Sequence, residues 1–427
     1  MVWRGLAAVA VSGALALTAG CEKGGGLAWQ GGSGKTEPQG PSAAVTTPAA
    51  NATKVPASTY VTFKTEQATE AKVELTDAAG KPVKGELASD GTTWMPSTTL
   101  KYSTKYTATV TATDADGKTA TTTSSFTTMP TPGKQVRVSS QLGDGAVVGV
   151  GMPLIVTFGR AVPESLRDDV QKRMIVKTTP PQEGAWHWFS GTEVYYRPKF
   201  YWKAGTKLSY RIATGGLPMG DGWYGRSDLT LDAKIGSAVI MRVDNKTKKM
   251  TVTKDGKVLR TIPVSLGKPS TPSSSGTMVV MEKLRHTVFD TYAELGPQDG
   301  YRVEIDYAQR LTWGGEFIHS APWSVNDQGR RNVSHGCVNV SPSNAAWLFG
   351  ITKVGDPVTI KGTEAKLSQG NGWTIWNLSW DQWIKGSAVP YKAPGETPAQ
   401  ETPAEETPAQ ETPAGETPAE DEEPTTY

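Results

Sequence analysis

The sequence predicts a mainly β protein: three sheet-built units in a row, followed by a short Trp-rich segment. Short runs that alternate polar with apolar or β-branched residues recur along most of the chain. Turn residues punctuate them, as at Ala79-Gly80-Lys81-Pro82, Asp90-Gly91, Asp114-Ala115-Asp116-Gly117 and Asp255-Gly256. A helical signal is confined to Ser343–Phe349, with Ser341-Pro342-Ser343 as its cap and Gly350 as its stop, and to the Trp-rich segment.

The first unit, 56–131, reads as a small β-sandwich. Tyr60-Val61-Thr62-Phe63, Ala71-Lys72-Val73-Glu74-Leu75 and Tyr106-Thr107-Ala108-Thr109-Val110 are its strands. The second, 132–234, carries Leu154-Ile155-Val156-Thr157-Phe158, Glu193 to Pro198 and Leu208 to Ile212. Its Trp186, Trp188, Trp202 and Trp223 are read as packing residues. Neither unit shows a nucleophile, a metal cluster or paired carboxylates. The third unit, 235–362, opens with hairpins: Val239 to Val243, Lys249 to Thr253, the Asp255-Gly256 turn, then Val258 to Leu266. In 363–388, Trp373, Trp376, Trp380 and Trp383 recur at spacings of three, four and three, which fits one helix face or an aromatic latch packed onto the preceding unit.

The two ends have a different character. Arg4, an uncharged apolar run from Gly5 to Leu17, and the small residues Thr18-Ala19-Gly20 before Cys21 read as a signal peptide of residues 1–20 rather than a membrane span. The segment resembles the lipobox of bacterial lipoproteins, which implies a lipid anchor on Cys21. Residues 21–55 hold scarcely a large apolar side chain and are expected to be a flexible linker. Residues 389–427, with Glu-Thr-Pro-Ala repeated from Glu396 onward, are expected to be an extended acidic tail. A formal charge of +2 over 427 residues, without a basic stripe, gives no reason to expect nucleic acid as a partner.

Chemistry concentrates in one place. The chain has two cysteines and four histidines, and His319 and His335 both lie within eighteen residues of Cys337. With one cysteine at each end, the protein is not a disulfide scaffold. A thiol is mostly protonated near neutrality, and an adjacent imidazole can remove its proton on attack. Phe317-Ile318 reads as a buried strand presenting His319 at its mouth, and Val338 and Val340 as a second short strand beginning at Cys337. Gly336 leaves backbone N–H groups open to an oxyanion. Two rivals remain: a zinc site on His319, His335 and Cys337, which lacks a fourth cysteine or carboxylate, and an inert buried cysteine among core histidines.

Ser334-His335-Gly336-Cys337-Val338-Asn339, with His319 eighteen positions before the cysteine, closely resembles the signature of the L,D-transpeptidase (YkuD) family. His319 to Val325, Ser341 to Ala345, Trp376 to Trp383 and the Thr271-Pro272 region resemble the branch with two immunoglobulin-like domains ahead of the catalytic one. The resemblance implies two immunoglobulin-like sandwiches, a YkuD-type catalytic domain at 235–362 and a Trp-rich C-terminal subdomain at 363–388. It implies Cys337 as nucleophile, His319 as base with its other nitrogen on the Ser320 carbonyl, and His335 shaping the loop. Gly336 and Cys337 N–H groups would bind the oxyanion. Tyr301, Trp323, Ser334 and Asn339 would meet the substrate. The implied reaction joins two peptidoglycan tetrapeptide stems 3→3 through a thioester, releasing D-Ala, with no metal or organic cofactor. It would run at the extracytoplasmic membrane face. An L,D-carboxypeptidase, in which water resolves the thioester, and a non-catalytic wall-binding lipoprotein are the alternatives.

Overall fold

The computed structural model describes residues 40–88 and 90–393. Cys21, the apolar run before it and the Glu-Thr-Pro-Ala repeats lie outside the described residues. No helix among the described residues is long and apolar enough to cross a membrane.

The chain is mainly β. In the first sandwich, Ser42–Thr47, Val61–Glu66, Thr93–Pro96 and Gly85–Leu87 form one sheet. Ala52–Val55, Thr119–Thr128, Lys105–Thr113, Glu70–Asp77 and Pro82–Val83 form the other. Val61, Trp94, Leu75, Tyr106 and Phe126 fill the space between them. Two of these strands lie in the stretch expected to be a linker. Ser42–Thr47 pairs antiparallel with Val61–Glu66, and Ala52–Val55 runs parallel to Thr119–Thr128. These polar segments have little apolar surface, but neighbouring strands satisfy their backbone groups, and Val55 reaches the core.

The second sandwich stacks Val138–Ser140, Leu154–Phe158, Glu193–Pro198 and Gly184–Trp188 on Ala146–Val148, Leu229–Ile235, Lys207–Ile212 and Met174–Thr179. Trp186, Trp188 and Trp202 are buried in it. Trp188 stacks on Phe158 with ring centres 5.5 Å apart, and the Trp202 indole donates to the Met152 carbonyl at 2.7 Å. The packing role expected of these three rings is the observed one, and Trp223 is partly buried against the same core.

The third unit has two sheets. A six-stranded sheet runs in the order Lys257–Pro263, Lys249–Lys254, Val239–Asp244, Pro357–Lys361, Ser274–Val279, Ala365–Lys366. Asp255 (φ 49°) and Gly256 (φ 82°) both sit in the left-handed region, the backbone a two-residue I′ hairpin requires. The second sheet orders Glu282–Asp290, Arg302–Arg310, Phe317–Ser320 and Val338–Val340. The helix spans Pro342–Ile351, with Ser341 accepting from the Asn344 N–H and Pro342 in its first turn. It passes through the expected stop at Gly350. Thr352 ends it instead, its hydroxyl donating to the Leu348 carbonyl at 2.9 Å. Ala345 and Leu348 bury against Ile318, Val338 and Val340, so the helix braces the two strands that carry His319 and precede the Ser341 cap.

The Trp-rich segment is not one continuous helix. Ile375–Asn377 makes a single 3₁₀ turn and Trp380–Ile384 a short helix with a Ser379/Gln382 capping box. The segment latches onto the second sandwich. The fully buried Trp383 donates to the Ala185 carbonyl at 2.9 Å, and Trp376 donates to the Gly151 carbonyl at 2.8 Å. The packed body also extends past the expected start of the tail: the Tyr391 ring meets Trp380 edge-on and its hydroxyl donates to Glu183.

Candidate active site

The site is built on a parallel pair of strands. Phe317–Ser320 lies beside Val338–Val340 with His319 opposite Asn339. Cys337 immediately precedes the second of these strands. His319 and Cys337 line a cavity of about 290 Å³ together with Phe289, Tyr301, Val303, Ile305, Trp323, Val333, Ser334, His335 and Asn339.

His319 is held firmly. Its Nδ1 lies 2.8 Å from the Ser320 carbonyl, which can only accept, so Nδ1 carries the proton and Nε2 the lone pair. Phe289 and Trp323 flank the ring at 5.6 and 6.0 Å between centres. Burial pushes the imidazole down to about 4, the Ser320 carbonyl opposing the shift in part. His319 is therefore a neutral base across the physiological range.

Cys337 is buried at the cavity floor against Phe317, Ile305 and Ala308. Burial pushes its thiol up to about 12; a backbone bond at Phe317 opposes this, and the charge of Glu316 adds to it. Its Sγ–H donates to the Gly315 carbonyl at 3.6 Å. Burial thus favours the thiol and the neutral imidazole, and in this conformation the thiol is bonded to the Gly315 carbonyl.

The loop carrying the sulfur is clamped by the stretch after Leu266. The Lys268 N–H and the Thr271 hydroxyl donate to the Ser334 carbonyl at 2.9 and 3.3 Å, and the Ser273 hydroxyl donates to the Gly336 carbonyl at 2.6 Å. Ser334 Oγ donates to the Cys337 carbonyl at 2.7 Å and accepts from the Gly336 N–H at 3.2 Å. Gly336, at φ +123°, turns its N–H back into the loop, so in this conformation that donor faces Ser334 rather than the cavity as expected.

The His335 ring lies tilted against Tyr301 with centres 5.1 Å apart, and its Nε2 accepts from the Lys268 ammonium at 3.0 Å. Trp323 is 56% exposed, at the rim. Asn339 Nδ2 donates to Ser324 Oγ at 3.2 Å, while its buried Oδ1 has no partner. Among the described residues no group of three or more His, Cys, Asp or Glu is arranged to hold a metal. All the residues singled out in the sequence near Cys337 thus come to one place except Gly336 and Ser320, which support it from behind. The sequence reading missed Phe289, Val303, Ile305 and Val333. Val303 and Ile305 follow Tyr301 at every second position, a strand periodicity that marks the cavity wall.

Residues 52–218 match a family model described as a bacterial Ig domain, a single match that takes in parts of both sandwiches. Residues 238–360 match the L,D-transpeptidase catalytic domain, YkuD. L,D-transpeptidase 2 of Mycobacterium tuberculosis is 38% identical over 322 residues, covering 74% of this chain and 78% of that relative. L,D-transpeptidase 5 of the same species is 34% identical over 338 residues, covering 77% and 72%. A solved L,D-transpeptidase structure in complex with imipenem is 38% identical, with a TM-score of 0.46 over 54% of this chain and 100% of that one.

Proposed function

Because this chain belongs to the L,D-transpeptidase family, we propose that Cys337 and His319 carry the acyl transfer by which it cross-links peptidoglycan. The enzyme forms 3→3 links between peptide stems outside the cytoplasm. The observation that carries the residue roles is the placement of a neutral imidazole with its Nε2 lone pair in the cavity whose floor holds the thiol.

His319 takes the thiol proton as the sulfur attacks the carbonyl of the third stem residue, a diaminopimelate. Base and nucleophile act in one step because burial disfavours both charged forms beforehand. The imidazolium then protonates the departing D-Ala amine, leaving a thioester. The side-chain amine of a second stem attacks that thioester, His319 takes its proton, and the sulfur leaves. The bond energy of the cleaved amide is carried through the thioester, so no nucleotide is needed. The Cys337 N–H holds the oxyanion, joined by the Gly336 N–H where Ser334 Oγ yields it. Asn339 Oδ1 is an acceptor for a stem amide, and Tyr301, His335 and Trp323 frame the entrance. Donor and acceptor stems are the partners of this site.

Incubation with a carbapenem is expected to add one acyl group, located at Cys337 by peptide mass; no adduct on the wild type would overturn the nucleophile assignment. Tetrapeptide stems should yield dimers, and trimmed tripeptide alone would favour an L,D-carboxypeptidase. Cys21 is proposed to hold the enzyme on the membrane through a lipid, with residues 21–39 as tether. Cys21→Ser should move it from the membrane fraction to the soluble one, and unchanged partition would refute the anchor.

A further inference from the structure

Behind the nucleophile lies an acidic residue that the transfer chemistry does not use. Glu316, mostly buried, accepts from the Ser274 N–H at 3.1 Å and from the Ser274 hydroxyl at 2.6 Å. Its own N–H donates to Thr312 Oγ1 at 3.0 Å, and its carbonyl accepts from the Leu311 N–H at 2.9 Å. The residue before it, Gly315, supplies the carbonyl that holds the Cys337 thiol. A Cβ on Gly336 would sit 3.6 Å from the Glu316 Cγ, so the side chain runs directly beneath the nucleophile loop. Two neighbouring serines therefore hold the segments on which the sulfur rests, Ser273 the nucleophile loop through the Gly336 carbonyl and Ser274 the Gly315–Glu316 turn through the Glu316 carboxylate.

We propose that Glu316 is a positioning residue for the nucleophile. Its carboxylate ties the Gly315–Glu316 turn to Ser274, and its negative charge keeps the sulfur a thiol until His319 takes the proton. The proposal rests on Cys337 being the nucleophile. Of the groups near the sulfur, His319 is neutral, Tyr301 is a phenol, and His335 faces the Lys268 ammonium. Arg310 is engaged with Glu282 and with the Phe317 ring. Glu316 is the anion of this set. Burial raises its carboxyl and the two Ser274 bonds oppose that rise. A buried like charge beside a forming thiolate disfavours ionisation. Such a charge protects the sulfur from adventitious electrophiles and makes its reactivity depend on a bound substrate.

The test is alkylation of the full chain by iodoacetamide, in which the sulfur forms an S–C bond, iodide departs and the thiol proton goes to solvent. The label at Cys337 is read by peptide mass, apart from Cys21, from about pH 7 to about pH 10. Glu316→Gln keeps an acceptor for Ser274 and removes the charge. It should label about 3–10-fold faster at each pH of this range, where the rate climbs with the small thiolate fraction. Ser274→Ala, the milder change, should raise the labelling rate the same way by less. Glu316→Ala should add faster amide exchange over 312–316. A Glu316→Gln profile that superimposes on the wild type or is slower, with carbapenem acylation intact, overturns the role of Glu316 alone. A Cys337 that neither alkylates nor acylates in any variant overturns the nucleophile and this role together.

Discussion

The cavity and the seam with the second sandwich both bury ionisable groups, but they treat them in opposite ways. At the cavity, His319 and Cys337 lose their charges to burial, and each remains one proton transfer away from reactivity. At the seam, Arg197 is 3% exposed, and burial lowers its guanidinium only to about 10, so it remains charged. It is accommodated by the ring faces of Trp376, Trp380 and Trp383 at 4.7, 5.4 and 4.8 Å and by the Leu378 carbonyl at 2.9 Å. A thiol or an imidazole can shed charge; a guanidinium cannot, so the structure must supply partners. His319 and Cys337 are thus buried in their neutral forms, while Arg197 stays a cation held by the Trp-rich segment.

The sharpest way to break that contrast is at the sulfur. Cys337→Ala should abolish both carbapenem adduct and cross-linked product, measured by intact mass, with the thermal midpoint little changed. His319→Ala should lower the acylation rate by about 10²–10⁴-fold, the usual worth of a positioned base, read by stopped acylation and mass. At the seam, Trp383→Ala should cost about 3–5 kcal/mol of stability by denaturant unfolding while the acylation rate per folded molecule is retained. An equal loss of acylation would show that the two regions are not separate. Arg197→Met should cost about 1–3 kcal/mol, since it removes the cation from its ring faces and the bond to Leu378.

The smallest effect expected is at Asp356, a buried carboxyl whose Oδ2 accepts from the Lys353 N–H at 2.7 Å and whose Oδ1 has no partner. Burial pushes it up from 3.8 to about 7. The folded state then binds more protons than the unfolded one between these values. Stability linked to Asp356 is present below about 4 and is lost as pH rises through about 7. Asp356→Asn should remove that decline, followed as thermal midpoint against pH. A decline of unchanged slope would assign it to other groups.

Much of the site was legible because its elements are local. The Ser334–Asn339 run, the strand signal at Phe317-Ile318 and the Ser341-Pro342 cap each depend on a few neighbours in the chain. The strands at 42–55 were not legible, because their stability comes from ladders with residues far along the chain rather than from their own side chains. The stop at Gly350 was misplaced because Thr352 bonds both Leu348 and Gln309 across the fold.

By itself, the sequence determined the β class, the alternation that builds each sandwich, and the pairing of a thiol with a preceding histidine. These follow from periodicity and residue chemistry, which need no partner from elsewhere in the chain. Only the tertiary structure decided which way the Gly336 N–H faces, that the thiol rests on the Gly315 carbonyl with Glu316 beside it, and that the Trp segment grips Arg197. Burial and hydrogen-bond geometry between distant segments set these, and they exist only once the chain has closed on itself.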